Sequence, residues 1–267
     1  MSLFQAIILG ILQVLAELLP ISSSAHLNLI PWIFNWTESA EFNIAFEAFD
    51  VALHVGTLFA IAIFFFKDWL NLIVGGFNKV VKKKDSLEGK MFWYIVIATI
   101  PGAIIGFVLD HFMEDILSKP LIIAISLIVM GIILYIVDEK CKATTDYEHL
   151  SFKQTFLIGL SQSLAFIPGV SRSGVTMTMA RILGVDRTSA ARYSFMLSAP
   201  IVAGAAIYKL KDFVFSFNFF IGVLVSFIVG LVVIKFLLEY LRKGSFKLFA
   251  IYRVVLGAIV IALLIIR

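Results

Sequence analysis

Glu17-Leu-Leu-Pro-Ile-Ser-Ser-Ser-Ala-His26 interrupts an apolar stretch running from about residue 3 to residue 36. Phe166-Ile-Pro-Gly-Val-Ser-Arg-Ser-Gly174 interrupts a second such stretch, at about 154–184, in the same way. Proline withholds a helix donor and serine side chains offer the backbone alternative partners, so each segment should break a helix near its middle. Broken backbone at membrane depth persists only when it is buried in protein or lines a wet cavity. The two stretches therefore read as re-entrant hairpins, each a pair of half-helices around a polar loop.

The surroundings are those of a membrane protein. Of 267 residues, 61% are hydrophobic and only 15% charged, against about 25% charged in a soluble domain. This excludes a soluble fold. Six further segments, at about 46–66, 91–109, 120–137, 189–208, 218–238 and 248–266, approach the ~20 apolar residues that span a bilayer core. The first apolar stretch lacks a basic leader and runs into Glu17 and Pro20, which argues against a cleaved signal. Cys141 is the one cysteine, so no intramolecular disulfide can form.

Charge sets the expected orientation. Loop 67–90 carries Lys67, Lys79, Lys82, Lys83, Lys84 and Lys90. Loop 138–153 carries Lys140, Lys142 and Lys153, and loop 239–247 carries Arg242, Lys243 and Lys247. The intervening loops hold only Lys119, Lys209 and Lys211. Cationic short loops stay cytoplasmic, so both termini should lie outside and all six crossings alternate without conflict. Arg181, Arg187 and Arg192 are expected to anchor in cytoplasmic headgroups.

The chain also resembles itself. Gly10, Gln13, Leu15 and Ala16 recur as Gly159, Gln162, Leu164 and Ala165, each copy followed by a proline, a serine-rich break and three crossings. The charge-based topology sends the two copies in from opposite sides. The expected fold is therefore all-α and polytopic, one domain over 1–267, an inverted-topology repeat of halves about 1–145 and 146–267. Such repeats place the functional site at the midplane between the halves.

Ionisable groups inside a membrane mark function by default. The first break offers Glu17, Ser22, Ser23, Ser24 and His26; the second offers Ser171, Arg172, Ser173 and Thr176. Arginine makes a planar two-pronged contact to phosphate. Loops that open helices add backbone N–H groups and a positive dipole end. Glu17 and His26 supply a metal ligand or an acid–base pair. Together these suit phosphoryl transfer to water or to a serine. The plainer readings are serines bonded to backbone carbonyls, His26 satisfied at a helix start, and a Glu17–Arg172 ion pair joining the hairpins. Asp50 and His54, one helical turn apart, read as a supporting pair.

Gln13-x-x-x-Glu-Leu-Leu-Pro-Ile-Ser-Ser-Ser-Ala-His-Leu27, Phe49-Asp-Val-Ala-Leu-His-Val-Gly-Thr-Leu58 and Pro168-Gly-Val-Ser-Arg-Ser-Gly174 resemble the signature segments of the undecaprenyl-diphosphatase family, and the likeness extends to Ala250-Ile-Tyr-Arg253. The resemblance implies release of phosphate from undecaprenyl diphosphate at an extracytoplasmic site of the plasma membrane, with a divalent metal such as Mg or Ca. It implies Glu17 as catalytic or metal-binding carboxylate, Ser23 as nucleophile or phosphate contact, His26 as general acid–base and Arg172 as diphosphate clamp. Gln13, Ser22, Ser24, Ser171, Ser173 and Thr176 complete the expected substrate site. Some family members carry a second glutamate where Gln13 stands, so a catalytic base at that position is in doubt here.

Expected partners are the polyprenyl diphosphate and membrane lipids, not nucleic acid; a second copy of the chain is left open. The rival function is a transporter or flippase of a polyprenyl phosphate or another anion, since paired broken helices are also a transporter feature.

Overall fold

The computed structural model describes residues 1–110, 119–208 and 216–266. Among these the chain is helical, with one isolated β-bridge between Thr145 and Val185. The helices are α1 (Leu3–Leu18), α2 (Ser23–Ile33), α3 (Ala40–Phe64), α4 (Phe66–Val81), α5 (Leu87–Asp110), α6 (Pro120–Lys140), α7 (Phe152–Ser161), α8 (Arg172–Ile182), α9 (Arg187–Tyr208), α10 (Phe217–Leu241) and α11 (Lys247–Ile266). Short 3-10 turns follow α2 (Trp36–Glu38) and α7 (Gln162–Phe166). Five helices, α5, α6, α9, α10 and α11, are long and apolar enough to cross a membrane among the described residues. The count becomes six if α3 and α4, bent by 79° at Phe65, form one span. The chain is thus a polytopic, all-helical membrane protein. The sparsely charged loop around Glu114 and the segment holding Lys209 and Lys211 lie outside the described residues.

The breaks fall where the sequence places them. Leu18 ends α1 and Ser23 begins α2; the second apolar stretch divides between the 3-10 turn at Phe166 and α8 at Arg172. Each pair begins beside a different helix. Met1 lies beside the start of α10, where its carbonyl accepts from Asn218 Nδ2 at 3.0 Å. Phe152, opening α7, stacks edge-on against Tyr94 near the start of α5. Close helix approaches lock this arrangement: Gly10 meets the Gly222 carbonyl, and Gly159 meets the Ala98 carbonyl, at spacings no Cβ could share.

Two expectations need correction. Loop 67–90 is largely helical, because α4 occupies most of it. Arg181, Arg187 and Arg192 do not reach out to headgroups. Arg181 is buried and donates to Asp138 Oδ1 at 3.1 Å and to the Val185 and Cys141 carbonyls. Arg187 donates to the same Oδ1 at 2.7 Å, while Oδ2 accepts from the Phe246 N–H at 2.8 Å. Arg192 pairs with Asp68 and lies over the Tyr147 ring. A buried carboxylate needs charged partners, and Asp138 draws the two arginines inward. The same contacts gather α4, the 138–153 loop and the turn before α11 at one end of the bundle, so the cation-rich loops share a side.

Candidate functional site

Both breaks use one backbone device. Ser22 and Ser171 sit at positive φ, 79° and 74°, a conformation that side chains rarely adopt and that costs about 1–3 kcal/mol. Each serine caps the helix that follows: Ser22 Oγ accepts from the Ala25 N–H at 3.3 Å, Ser171 Oγ from the Gly174 N–H at 3.0 Å. Each hydroxyl also lies 3.2 Å from the serine two residues on, Ser24 or Ser173. The first-turn N–H groups of α2 and α8, with their positive dipole ends, are thereby turned toward one region.

The breaks are tied to each other. Ser173 Oγ donates to the Leu19 carbonyl at 3.1 Å. Arg253, with no exposed surface, donates to the carbonyls of Pro20 at 3.1 Å, Gly169 at 2.7 Å and Val170 at 2.9 Å. Those carbonyls lose helical partners where the chain breaks, and one guanidinium satisfies both sets. Gly174 is required there, since a Cβ would stand 2.6 Å from Arg253 Nη1.

Into this frame project the polar side chains. Glu17 Oε1 accepts from Arg172 Nη2, closing the ion pair between the hairpins. Glu17 Oε2 accepts from Ser23 Oγ at 2.6 Å. His54 Nδ1 lies 3.9 Å from the same Oε2, and its other nitrogen is 3.7 Å from Asp50. Gln13, one turn before Glu17 and fully buried, places its amide nitrogen 3.0 Å from His54 Nδ1. A carboxylate is thus held between a serine hydroxyl and a guanidinium, with an imidazole and an amide behind it.

The other expected residues divide. Ser22 and Ser171 serve as buried caps, and Ser24 leans on Ser22. Thr176 donates to the Arg172 carbonyl at 2.8 Å and meets Ser194 Oγ at 2.7 Å, so it braces α8 against α9. His26 is not brought to the cluster. Its Nδ1–H donates to the Ser22 carbonyl at 2.7 Å, and Nε2 accepts from the Tyr252 hydroxyl at 2.6 Å, with the two rings stacked. Those rings border an apolar groove of about 350 Å³ between α1 and α11. Sequence reasoning gave Arg253 and Tyr252 no role. An arginine within the last apolar segment was the available signal for the former, and both lie in the family-like stretch Ala250–Arg253.

The expected divalent metal can be tested against this donor set. No cluster of three or more His, Cys, Asp or Glu side chains able to hold a metal occurs among the described residues, so a cage built wholly of protein does not fit. A Mg-type ion takes one or two protein carboxylates and draws its remaining oxygens from phosphate and water. Glu17 fits that role, and Gln13 Oε1 is a buried acceptor without a hydrogen-bond partner.

Comparison with known proteins closes the question of kinship. The sequence model of the family described as bacitracin resistance protein BacA matches residues 6–259. The chain belongs to the BacA family. It is 50% identical to the undecaprenyl-diphosphatase of Pelotomaculum thermopropionicum, over 98% of this chain and 97% of that one. It is 46% identical to the protein of the same name from Caldicellulosiruptor bescii, over 100% and 99%, and 43% identical to that from Moorella thermoacetica, over 98% of each. The BacA match spans both breaks and the Arg253 anchor, so the site lies wholly within the shared region.

Proposed function

We propose that this BacA-family protein is an integral membrane phosphatase that hydrolyses undecaprenyl diphosphate to the monophosphate and inorganic phosphate. The observation that carries this reading is the Glu17 carboxylate, held between Ser23 and Arg172 at two capped helix starts. The relatives from Pelotomaculum thermopropionicum and Caldicellulosiruptor bescii, named undecaprenyl-diphosphatases, agree with it.

The resting ion pair has a chemical consequence. While Arg172 neutralises Glu17, the carboxylate is a poor proton acceptor. A diphosphate offers the guanidinium a better partner, with two charges and matching geometry. Taking Arg172 away restores basicity to Glu17 at the moment substrate arrives. The attacking oxygen, Ser23 Oγ or a water in its place, forms a bond to the terminal phosphorus and passes its proton to Glu17. The bond from phosphorus to the bridging oxygen breaks, and the lipid monophosphate leaves with that oxygen and its electron pair. Where Ser23 is the attacker, a water then attacks the phosphoserine phosphorus, the P–Oγ bond breaks, and Oγ recovers its proton as inorganic phosphate departs. Arg172 and the first-turn N–H groups of α2 and α8 stabilise the charge on the transferring group, the main source of catalysis in phosphoryl transfer. Glu17 Oε1, the oxygen Arg172 vacates, and Gln13 Oε1 would hold a divalent cation that accompanies the substrate, leaving Oε2 beside Ser23 to take the proton. When bound, the cation would supply further neutralisation of the phosphate oxygens. His26 acts at one remove, holding the Ser22 carbonyl and hence the strained turn before Ser23.

The architecture belongs to the same proposal. We read the two halves as an inverted repeat with two re-entrant hairpins, six crossings and termini outside. Supporting this are the matched positive-φ serines and reciprocal packing in which α10 covers α1 while α5 covers α7. The site then opens to the extracytoplasmic face of the plasma membrane.

Purified protein in detergent, given undecaprenyl diphosphate with Mg or Ca, should release inorganic phosphate and lose that activity in chelator. No release with any divalent cation, combined with saturable binding of the lipid phosphate, would overturn the phosphatase reading in favour of transport.

A further inference from the structure

Helix α4 departs from the rest of the bundle. It leaves α3 at 79° and presents three chemically distinct faces. Leu72, Gly75 and Gly76 are buried. The two glycines meet the start of α5: Gly75 lies against Gly89, Gly76 against the Phe92 ring, and Trp93 Nε1–H donates to the Gly76 carbonyl at 3.2 Å. A second face carries Phe66, Leu70, Ile73, Val74, Phe77, Val80 and Val81, each at least half exposed. The third carries Asn71 and Asn78, and the helix runs out into exposed Lys82, Lys83 and Lys84. Asp68 is paired with Arg192 of α9, and Lys79 and Lys90 both bridge to Asp85, which closes the turn into α5.

We propose that α4 is an interfacial helix. It lies in the plane of the membrane with its apolar face in the acyl boundary, and Lys82–Lys84 bind anionic phospholipid headgroups of the leaflet on the side of the cation-rich loops. Three features support this occupant. The bend turns α4 away from the course of α3, whose own 25 residues are long enough to make the sixth crossing without it. The apolar face follows helical spacing, with the lysines gathered at its end, which matches a helix seated at the headgroup level. The lysine triplet is unpaired by any carboxylate among the described contacts, and each such charge near an anionic surface contributes about 1 kcal/mol, or roughly fivefold in affinity. The Asp68–Arg192 pair couples this helix to α9, and Thr176 on α8 braces α9 in turn.

The test is a spin-label scan of residues 66–84 in proteoliposomes of phosphatidylcholine with one quarter phosphatidylglycerol. An interfacial helix gives oxygen accessibility that oscillates with the helical period at constant mean depth, high at Ile73→Cys and Phe77→Cys and low at Asn71→Cys. Depth that increases steadily from 66 to 81 would make α4 a membrane-crossing leg and overturn the proposal. Labels at 73 and 77 shielded from both oxygen and a water-soluble reagent would mean a second protein surface covers the face, and would overturn it too. In a second arm, a bimane at Phe77→Cys is quenched by brominated phosphatidylglycerol or brominated phosphatidylcholine. The anionic lipid should be preferred severalfold, and Lys82, Lys83 and Lys84 changed together to Gln should bring the ratio to unity. Equal quenching in the parent protein would overturn the lipid-charge part of the inference.

Discussion

The two breaks share a backbone and divide the chemistry. Each has a serine at positive φ capping the next helix and a second serine beside it, and both are held by the same arginine. The first break carries the acceptor, Glu17, while the second carries the donor, Arg172. One scaffold device thus builds two helix starts suited to phosphate, and single substitutions in each give them opposite charge. A site made this way is assembled only when the halves pack, which places Arg253 and Ser173, the cross-ties, among its structural determinants.

The comparison breaks most severely at Arg253. Replacing it with Leu leaves the Pro20, Gly169 and Val170 carbonyls buried and unpaired, at about 1–3 kcal/mol each. Thermal unfolding in detergent should fall sharply, and activity should vanish with it. An unchanged midpoint would show that the two breaks hold their shape independently.

Next come the two charges, which should be unequal in what they remove. Glu17→Gln keeps shape and loses basicity, so turnover should drop by about a thousandfold or more while lipid diphosphate binding stays measurable. Arg172→Lys substitutes a point charge for a planar clamp and should cost on the order of a hundredfold, with binding weakened as well. Equal loss of binding in both variants would contradict the division into acceptor and donor. Ser23→Ala sharpens the same contrast: complete loss favours Ser23 Oγ as the attacking atom, and residual turnover of about a hundredth favours water.

The serine caps test equivalence more gently. Ser171→Ala removes one helix cap and should cost about 1 kcal/mol of stability, with less than tenfold effect on rate. Ser22→Ala should have a similar effect on stability if the two breaks are structurally equivalent. The smallest effect is expected from Gln13→Glu. Its amide contacts His54 rather than Ser23 or Arg172, so activity should persist while the pH optimum and the metal concentration for half-maximal rate shift.

Much of this was legible in residues alone. The positions of both breaks follow from Pro20 and Pro168 with their neighbouring serines, and the meeting of Glu17 with Arg172 from the cost of leaving either charge in lipid. The BacA kinship followed from three motifs. What went astray has a common cause. Arg181, Arg187 and Arg192 were placed in headgroups because helix ends near cationic loops usually snorkel, but Asp138 and Asp68 lie far from them in sequence and become their partners only through packing. His26 follows the serines by a few residues, and helical rotation sets it against Tyr252, 226 positions away, a contact that packing alone creates.

Composition and local pattern therefore determined that the chain is a membrane bundle, where its helices fail, and which charged groups the bilayer could not tolerate unpaired. Those are local matters, settled by the transfer cost of each segment and the hydrogen-bonding limits of proline. Only the tertiary structure decided that Asp138 pairs with Arg181 and Arg187 and Asp68 with Arg192, because these partners lie 43, 49 and 124 residues apart and meet only through packing. It also decided that α4 should bend at Phe65 and lie across the end of α5, since glycines 75 and 76 can act as a contact face only once Gly89 and Phe92 are brought beside them.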